Sequence, residues 1–136
     1  MSKRFFKSLP SKKGKRLQIP PTPPINSGLL KPIFSFHYMT YCGSTCLSKC
    51  EKADCADFAN RLLELSQLSW NDIISKRYAG YEKIPRHQFK NPIPTSITED
   101  VDKLVVFNFS CAGRMAGFQR GNIYHIVQVS PTHDLY

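Results

Sequence analysis

The chain has 136 residues, 41% of them hydrophobic, with 19 Lys or Arg against 10 Asp or Glu, a formal net charge of +9 and five cysteines. That length holds one hydrophobic core. No run approaches the ~18 uncharged apolar residues of a membrane-spanning helix, and the charged start MSKRFFKSLPSKKGKRLQIPP lacks the apolar stretch of a secretory signal, so a cytoplasmic protein with no membrane partner is expected.

The charge is unevenly placed. Lys3, Arg4, Lys7, Lys12, Lys13, Lys15 and Arg16 all lie in residues 1–30, which hold no acid, leaving a net of only +2 for residues 31–136. Pro10, Pro20, Pro21, Pro23 and Pro24 share that segment and forbid a sustained helix. Residues 1–30 therefore read as a basic, Pro-rich flexible arm, with Lys12, Lys13, Lys15 and Arg16 as candidate RNA-binding cations or, on the plainer reading, as a solubilising leader. Residues 31–136 read as a single domain.

That domain opens on PIFSFHYM, whose period of two puts Phe34, Phe36 and Tyr38 on one side of a half-buried strand and Ser35 and His37 on the other. Next, YCGSTCLSKCEKADC gathers Cys42, Cys46, Cys50 and Cys55. Their spacing does not form the paired C-x-x-C of a zinc ribbon, so reduced thiols are favoured over metal and no cofactor is expected. In DCADFANRLLELSQLSW, Asp54 caps a helix, Asp57 suits its first turn, and Phe58, Leu62 and Leu65 recur at helical spacing. Ser69 and Asp72 repeat the cap signature before a second helix, with Trp70 as a core anchor and Trp70, Ile73 and Ile74 as its apolar face, ending near Gly80.

Residues 79–98 read as mostly loop with a short strand near Tyr81 to Ile84, Glu82 being most simply a solvated loop acid and also the one carboxylate close enough in sequence to Lys83 and Arg86 to join a site. KLVVFNFS sets Val105, Phe107 and Phe109 on one face and Leu104 and Val106 on the other. RMAGFQ and NIYHIVQV follow as strands around a turn at Arg120 and Gly121. The last strand is apolar on both faces and takes an inner place, and His125, beside Ile123, Val127 and Val129, reads as a hydrogen-bonded core histidine. The expected fold class is α+β: a small antiparallel sheet with two helices packed on one face, in the order strand-helix-helix-strand-strand-strand.

No phosphate loop, dinucleotide fingerprint, nucleophile elbow or metalloprotease helix is present. What remains is a set of basic, imidazole and phenol side chains: Arg114 at a strand start, Arg120 in the following turn, and His133 and Tyr136 just past the last strand. Such groups suit RNA cleavage by a ribose 2′-hydroxyl, which needs a proton acceptor, a proton donor and cations for the charge growing on phosphate. His133 is the candidate acid or base, Tyr136 a donor and Arg114 a phosphate clamp, with Lys83, Arg86 and Arg120 holding the RNA backbone.

The order of elements, RMAGF at 114–118, the apolar strand IYHIVQV at 123–129 and the ending PTHDLY at 131–136 resemble the RelE/ParE-like toxin superfamily of bacterial toxin–antitoxin pairs. The resemblance covers about residues 31–136. It implies a metal-independent endoribonuclease that cuts mRNA on the ribosome and is restrained by a cognate antitoxin protein, with Arg114 as the phosphate-binding arginine and His133 with Tyr136 as the C-terminal pair. Here Asp134 and Leu135 separate that pair, and the arm and the cysteine cluster are additions to the usual domain. A non-catalytic module that binds nucleic acid or protein is the alternative, and a zinc-stabilised interaction domain is a third reading.

Overall fold

The computed structural model describes residues 27–39 and 47–136. The arm cations Lys12, Lys13, Lys15 and Arg16, together with Cys42 and Cys46, lie outside those residues. In chain order the elements are β1 (Ile33–Ser35), α1 (Lys52–Leu65), α2 (Trp70–Ser75), β2 (Glu82–Pro85), β3 (Lys103–Asn108), β4 (Arg114–Arg120) and β5 (Ile123–Ser130). The fold class is α+β, with two helices and one sheet of five strands in the order β1-β5-β4-β3-β2.

Two expectations about the sheet are corrected. It is mixed, because β1 runs parallel to β5 while β5, β4, β3 and β2 pair antiparallel in turn. The segment at 82–85 is a full member and forms the far edge against β3, so the strand count is five and the order is strand-helix-helix followed by four strands. Parallel pairing needs a long crossover, and everything from Phe36 to Asn122 supplies it.

Both faces of the sheet are covered. On one, Phe58 and Leu65 of α1 and Trp70 and Ile73 of α2 pack with Tyr81, Val105, Phe107, Phe109, Met115, Tyr124, Ile126 and Val129. On the other, Leu104, Val106, Ala116, Phe118 and Val127 are covered by Phe89 and Ile97 from the loop after β2 and by Leu135 from the C-terminal tail. The alternation expected along KLVVFNFS is thus the alternation observed.

Local chemistry explains the departures. The first helix begins a turn earlier than expected: Glu51 is the N-cap and its backbone N–H donates to the Asp54 carboxylate at 3.0 Å, so Asp54 is the third helical residue rather than the cap. Ser69 does cap α2, its hydroxyl accepting from the Asp72 N–H at 3.1 Å. That helix stops at Ser75, because Arg77, Ala79 and Gly80 take left-handed φ values of 49°, 55° and 68°. The cost of two non-glycine residues there is offset where Tyr78 donates to Glu64 and Tyr81 buries against Phe107. The strand expected through Tyr38 also ends early, at Ser35. A turn then sends Phe34 to the helix-side core and Tyr38 to the opposite one, so they do not share a face. Residues 27–30, assigned to the arm by composition, belong to the folded unit, since the Leu30 carbonyl accepts from the Trp70 N–H at 3.0 Å.

A bulge between β4 and β5 decides what the C-terminal tail can reach. Ala116 pairs with Gln128 but Gly117 with Ile126, so Val127 is an extra residue in β5. Tyr124 and Ile126 face the helices, and without the bulge Gln128 and Ser130 would follow them. Instead Val127 packs in the second core, Gln128 donates to the Asn91 and Pro92 carbonyls of the covering loop, and Ser130 turns the same way. Gly117 is required here, because a Cβ would collide with the His125 carbonyl. Gly117→Ala is expected to lower stability by about 1–3 kcal/mol, the usual cost of overpacking against backbone, seen as a lower midpoint in chemical denaturation with an unchanged slope.

Candidate functional site

The tail after β5 is folded back rather than trailing. Ser130 Oγ accepts from the Thr132 N–H at 3.2 Å and donates to Asp134 at 2.5 Å, which closes a tight turn. Leu135 then enters the second core with no exposed surface, and its carbonyl accepts from the Lys90 N–H at 2.9 Å. Holding Leu135 inward leaves its neighbours at the surface: His133 is exposed and Tyr136 half-buried. The two rings meet edge to face with centroids 5.3 Å apart, and the Phe89 ring also packs against Tyr136, at 5.7 Å.

Arg114 starts β4 at the same end of the sheet, on the face that the tail covers. Its Nη1 donates to the carbonyls of Gly113 at 2.9 Å, Cys111 at 3.3 Å and Ser110 at 3.4 Å. Anchoring through one nitrogen fixes the guanidinium in place, with its remaining donors turned toward the Tyr136 phenol and the surface, where an anion could meet them. Glu82 starts β2 and shares this face with Ile84 two residues on. The Tyr136 phenol feels both: burial and the Glu82 carboxylate raise its pKa above the ordinary 10.0, and the Arg114 guanidinium opposes them. At neutral pH Tyr136 is a proton donor whose common neighbours are His133, Arg114 and Glu82.

The strand geometry thus gathers Arg114, His133 and Tyr136, and it adds Glu82, which the sequence marked as a solvated loop acid. The only sequence signal for Glu82 was its position beside Lys83 and Arg86. Those two are not brought along. Lys83 follows Glu82 on a strand, so its side chain leaves Glu82's face, and it lines a cleft of about 330 Å³ with Asp100, Asp102, Lys103 and Arg120 instead. Arg120 is six residues along β4 from Arg114, roughly 20 Å at the rise of a strand, so the two arginines stand at opposite ends of β4. Arg120 pairs with Asp100 at 3.6 Å and lies over Phe118. Hydrogen bonding from Thr98, and then the charges of Arg120 and Arg86, hold the Asp100 carboxyl below its ordinary value.

Arg86 is also diverted from the role expected of it. Its Nη1 donates to the carbonyls of Thr98 at 2.8 Å and Val101 at 3.2 Å, and its Nη2 to those of Ile97 at 2.8 Å and Pro94 at 3.5 Å. A guanidinium committed to four carbonyls is a brace, and RNA contact by Arg86 is set aside.

His125 is neither fully buried nor hydrogen-bonded in the expected way. The bulge sends Val129 to the other face, and the imidazole stacks on Phe118 at 5.0 Å with Tyr38 edge-on at 5.1 Å, its Nδ1 buried without a hydrogen-bond partner among the described residues. Desolvation, then Arg120 and His37, push its pKa below 6.5. Among the described cysteines, Cys55 and Cys111 are exposed free thiols, and no group of three potential metal ligands occurs among the described residues. No helix among the described residues is long and apolar enough to cross a membrane.

Two titrations check this geometry. The Tyr136 phenol, read as the ultraviolet difference between the chain and Tyr136→Phe, is expected to titrate closer to 10.0 in Glu82→Gln and further above it in Arg114→Ala. Because His125 has a depressed folded-state pKa, the unfolded chain binds its proton more readily. Stability is therefore present above 6.5 and lost as pH falls through the folded value. His125→Phe is expected to flatten that part of the stability profile, measured by denaturation at a series of pH values. Compared with protein-family models, with curated proteins and with solved structures, the chain matches none, and the site is defined by its own geometry.

Proposed function

We propose that the chain is an endoribonuclease of toxin type that cuts mRNA on the ribosome without a metal and is held in check by an antitoxin protein covering the Arg114 face. The observation that carries this reading is the convergence on Tyr136 of a fixed guanidinium, an imidazole and a carboxylate from three separate segments. These are the groups that internal transesterification of RNA requires, and the resemblance in the C-terminal strands points the same way.

In the proposed reaction Arg114 binds the scissile phosphate through the donors not anchored to the 110–113 loop, and it takes up the charge that builds on the non-bridging oxygens. Glu82, an exposed carboxylate, accepts the proton of the ribose 2′-hydroxyl as its oxygen attacks phosphorus. The bond from phosphorus to the 5′-oxygen breaks, His133 delivers a proton to that oxygen, and the products are a 2′,3′-cyclic phosphate and a 5′-hydroxyl end. Tyr136, kept protonated by burial and by Glu82, donates to the phosphate and holds His133 in place through the ring contact. No step needs an electrophilic metal, since the cation is supplied by arginine.

Cell-free translation of a defined reporter mRNA, with primer extension to map new 5′ ends and with ribosomes present or withheld, tests the reading. Ribosome-dependent cuts are expected, with Arg114→Ala slower by about 10²–10³, the usual loss for removing one donor to a developing oxyanion, and with a truncation of residues 131–136 inactive. Cleavage unchanged in both variants overturns the assignment of these residues. Ribosome or RNA binding with intact mRNA replaces it with the non-catalytic binding module.

A further inference from the structure

We propose that Arg86 is a positioning residue for Tyr136, acting through the loop at 89–102, a role that deepens the function proposed above and rests on it. The loop sequence FKNPIPTSITEDVD contains two prolines and forms no helix or strand. A segment of this kind leaves carbonyls without secondary-structure partners, and each one buried unpaired is costly. Arg86 adds to the few bonds the loop makes for itself: the Pro94 and Thr98 carbonyls accept from the Ile97 and Val101 N–H groups at 3.1 Å, while the Arg86 Nη atoms donate to Ile97 and Thr98 at 2.8 Å, to Val101 at 3.2 Å and to Pro94 at 3.5 Å, and its own N–H donates to the Asp102 carbonyl at 2.8 Å. The carbonyls are spread over eight residues of chain, so one planar fork sets the path of residues 94–101, which follow directly on the part of the loop that meets the tail.

What the loop then holds is the site. Phe89 at its start is buried and packs against the Tyr136 ring at 5.7 Å, and the Lys90 N–H fixes the Leu135 carbonyl next door. Asn91 and Pro92 are tied to β5 by the Gln128 amide, while Ile97 and Leu135 share the second core. Burial raises the Tyr136 phenol, and Phe89, whose ring packs on it at 5.7 Å, begins the loop that Arg86 braces. Lysine at position 86 has one ammonium in place of a fork and cannot span the same four carbonyls.

The test uses the full chain with Arg86→Ala and Arg86→Lys, and with Phe89→Leu as a variant that leaves the brace intact but removes the ring support. Trp70 fluorescence and cooperative unfolding report whether each variant keeps its core. In Arg86→Ala the Tyr136 phenol is expected to titrate back toward 10.0, with Arg86→Lys between it and the parent and Phe89→Leu shifted in the same direction. On RNA, kcat is expected to fall about a hundredfold while KM changes less than about twofold, the signature of a misplaced reacting group. An unmoved Tyr136 titration in folded Arg86→Ala overturns the proposal, and a raised KM with a flatter salt dependence would assign Arg86 to RNA phosphate instead. Should Arg86→Ala not fold, an unmoved phenol in both Arg86→Lys and Phe89→Leu has the same force. The phenol titration requires no RNA, so a chain that cuts nothing refutes the nuclease reading while leaving the positioning role to be decided separately.

Discussion

The ring of Tyr124 is the point on which the rest of the fold converges. It is fully buried on an inner strand and touches Phe34 of β1, Trp70 of α2 and Phe107 of β3 with centroids between 5.3 and 6.2 Å. Its hydroxyl reaches the Val105 carbonyl at 2.8 Å, which answers the one polar atom that burial would otherwise strand. Burial also pushes the phenol far above its ordinary pKa, so it remains a neutral donor. Trp70 extends the arrangement: its indole N–H donates to the Asn122 carbonyl at 3.0 Å, and the same carbonyl accepts from Ile33, so one turn joins helix, hairpin and edge strand. A three-residue strand such as β1 has little pairing of its own, and this packing keeps it in the sheet.

From that centre the chain could have presented its tail to either face. One extra residue in β5 decides the matter, because the period of a strand is two and a single insertion exchanges the faces of everything after it. The exchange carries Ser130 and then Leu135 to the side away from the helices, where Arg114 and Glu82 already point. The face is then closed by a loop that has no helix or strand and that Arg86 braces through four of its carbonyls. Site and loop are built together: the groups that gather at Tyr136 and the groups that bury it come from the same covering layer.

The same frugality governs charge. Arg61 binds the Asn108 carbonyl at 2.9 Å and Glu64 at 2.7 Å, Arg86 braces the loop, and one nitrogen of Arg114 holds the 110–113 turn. Several cations of the domain are thus engaged with its own backbone, and with 12 basic against 10 acidic side chains in residues 31–136 its net charge is small. A polyanion approaching this domain would meet Arg114 as a fixed, partly used fork rather than one of many mobile charges, which favours orientation over bulk attraction.

Sequence by itself determined the elements whose cause is local. Alternation in KLVVFNFS fixed both faces of β3, the Ser69 and Asp72 pair fixed the start of α2, Gly121 fixed the hairpin, and the apolar run in β5 marked an inner strand. Arg114, His133 and Tyr136 were legible as candidates because their side-chain chemistry is rare in such a short terminal stretch. Tertiary structure alone decided the rest. The parallel pairing of β1 with β5, the bulge at Val127 and the left-handed turn at 77–80 arise from packing between distant segments, which no local pattern encodes. Glu82 enters the site and Lys83 and Arg86 leave it because a strand turns consecutive side chains to opposite faces and a disordered-looking loop takes the arginine for its carbonyls. Residue types are written in the chain, but the face each one meets is set by register, and register belongs to the assembled sheet.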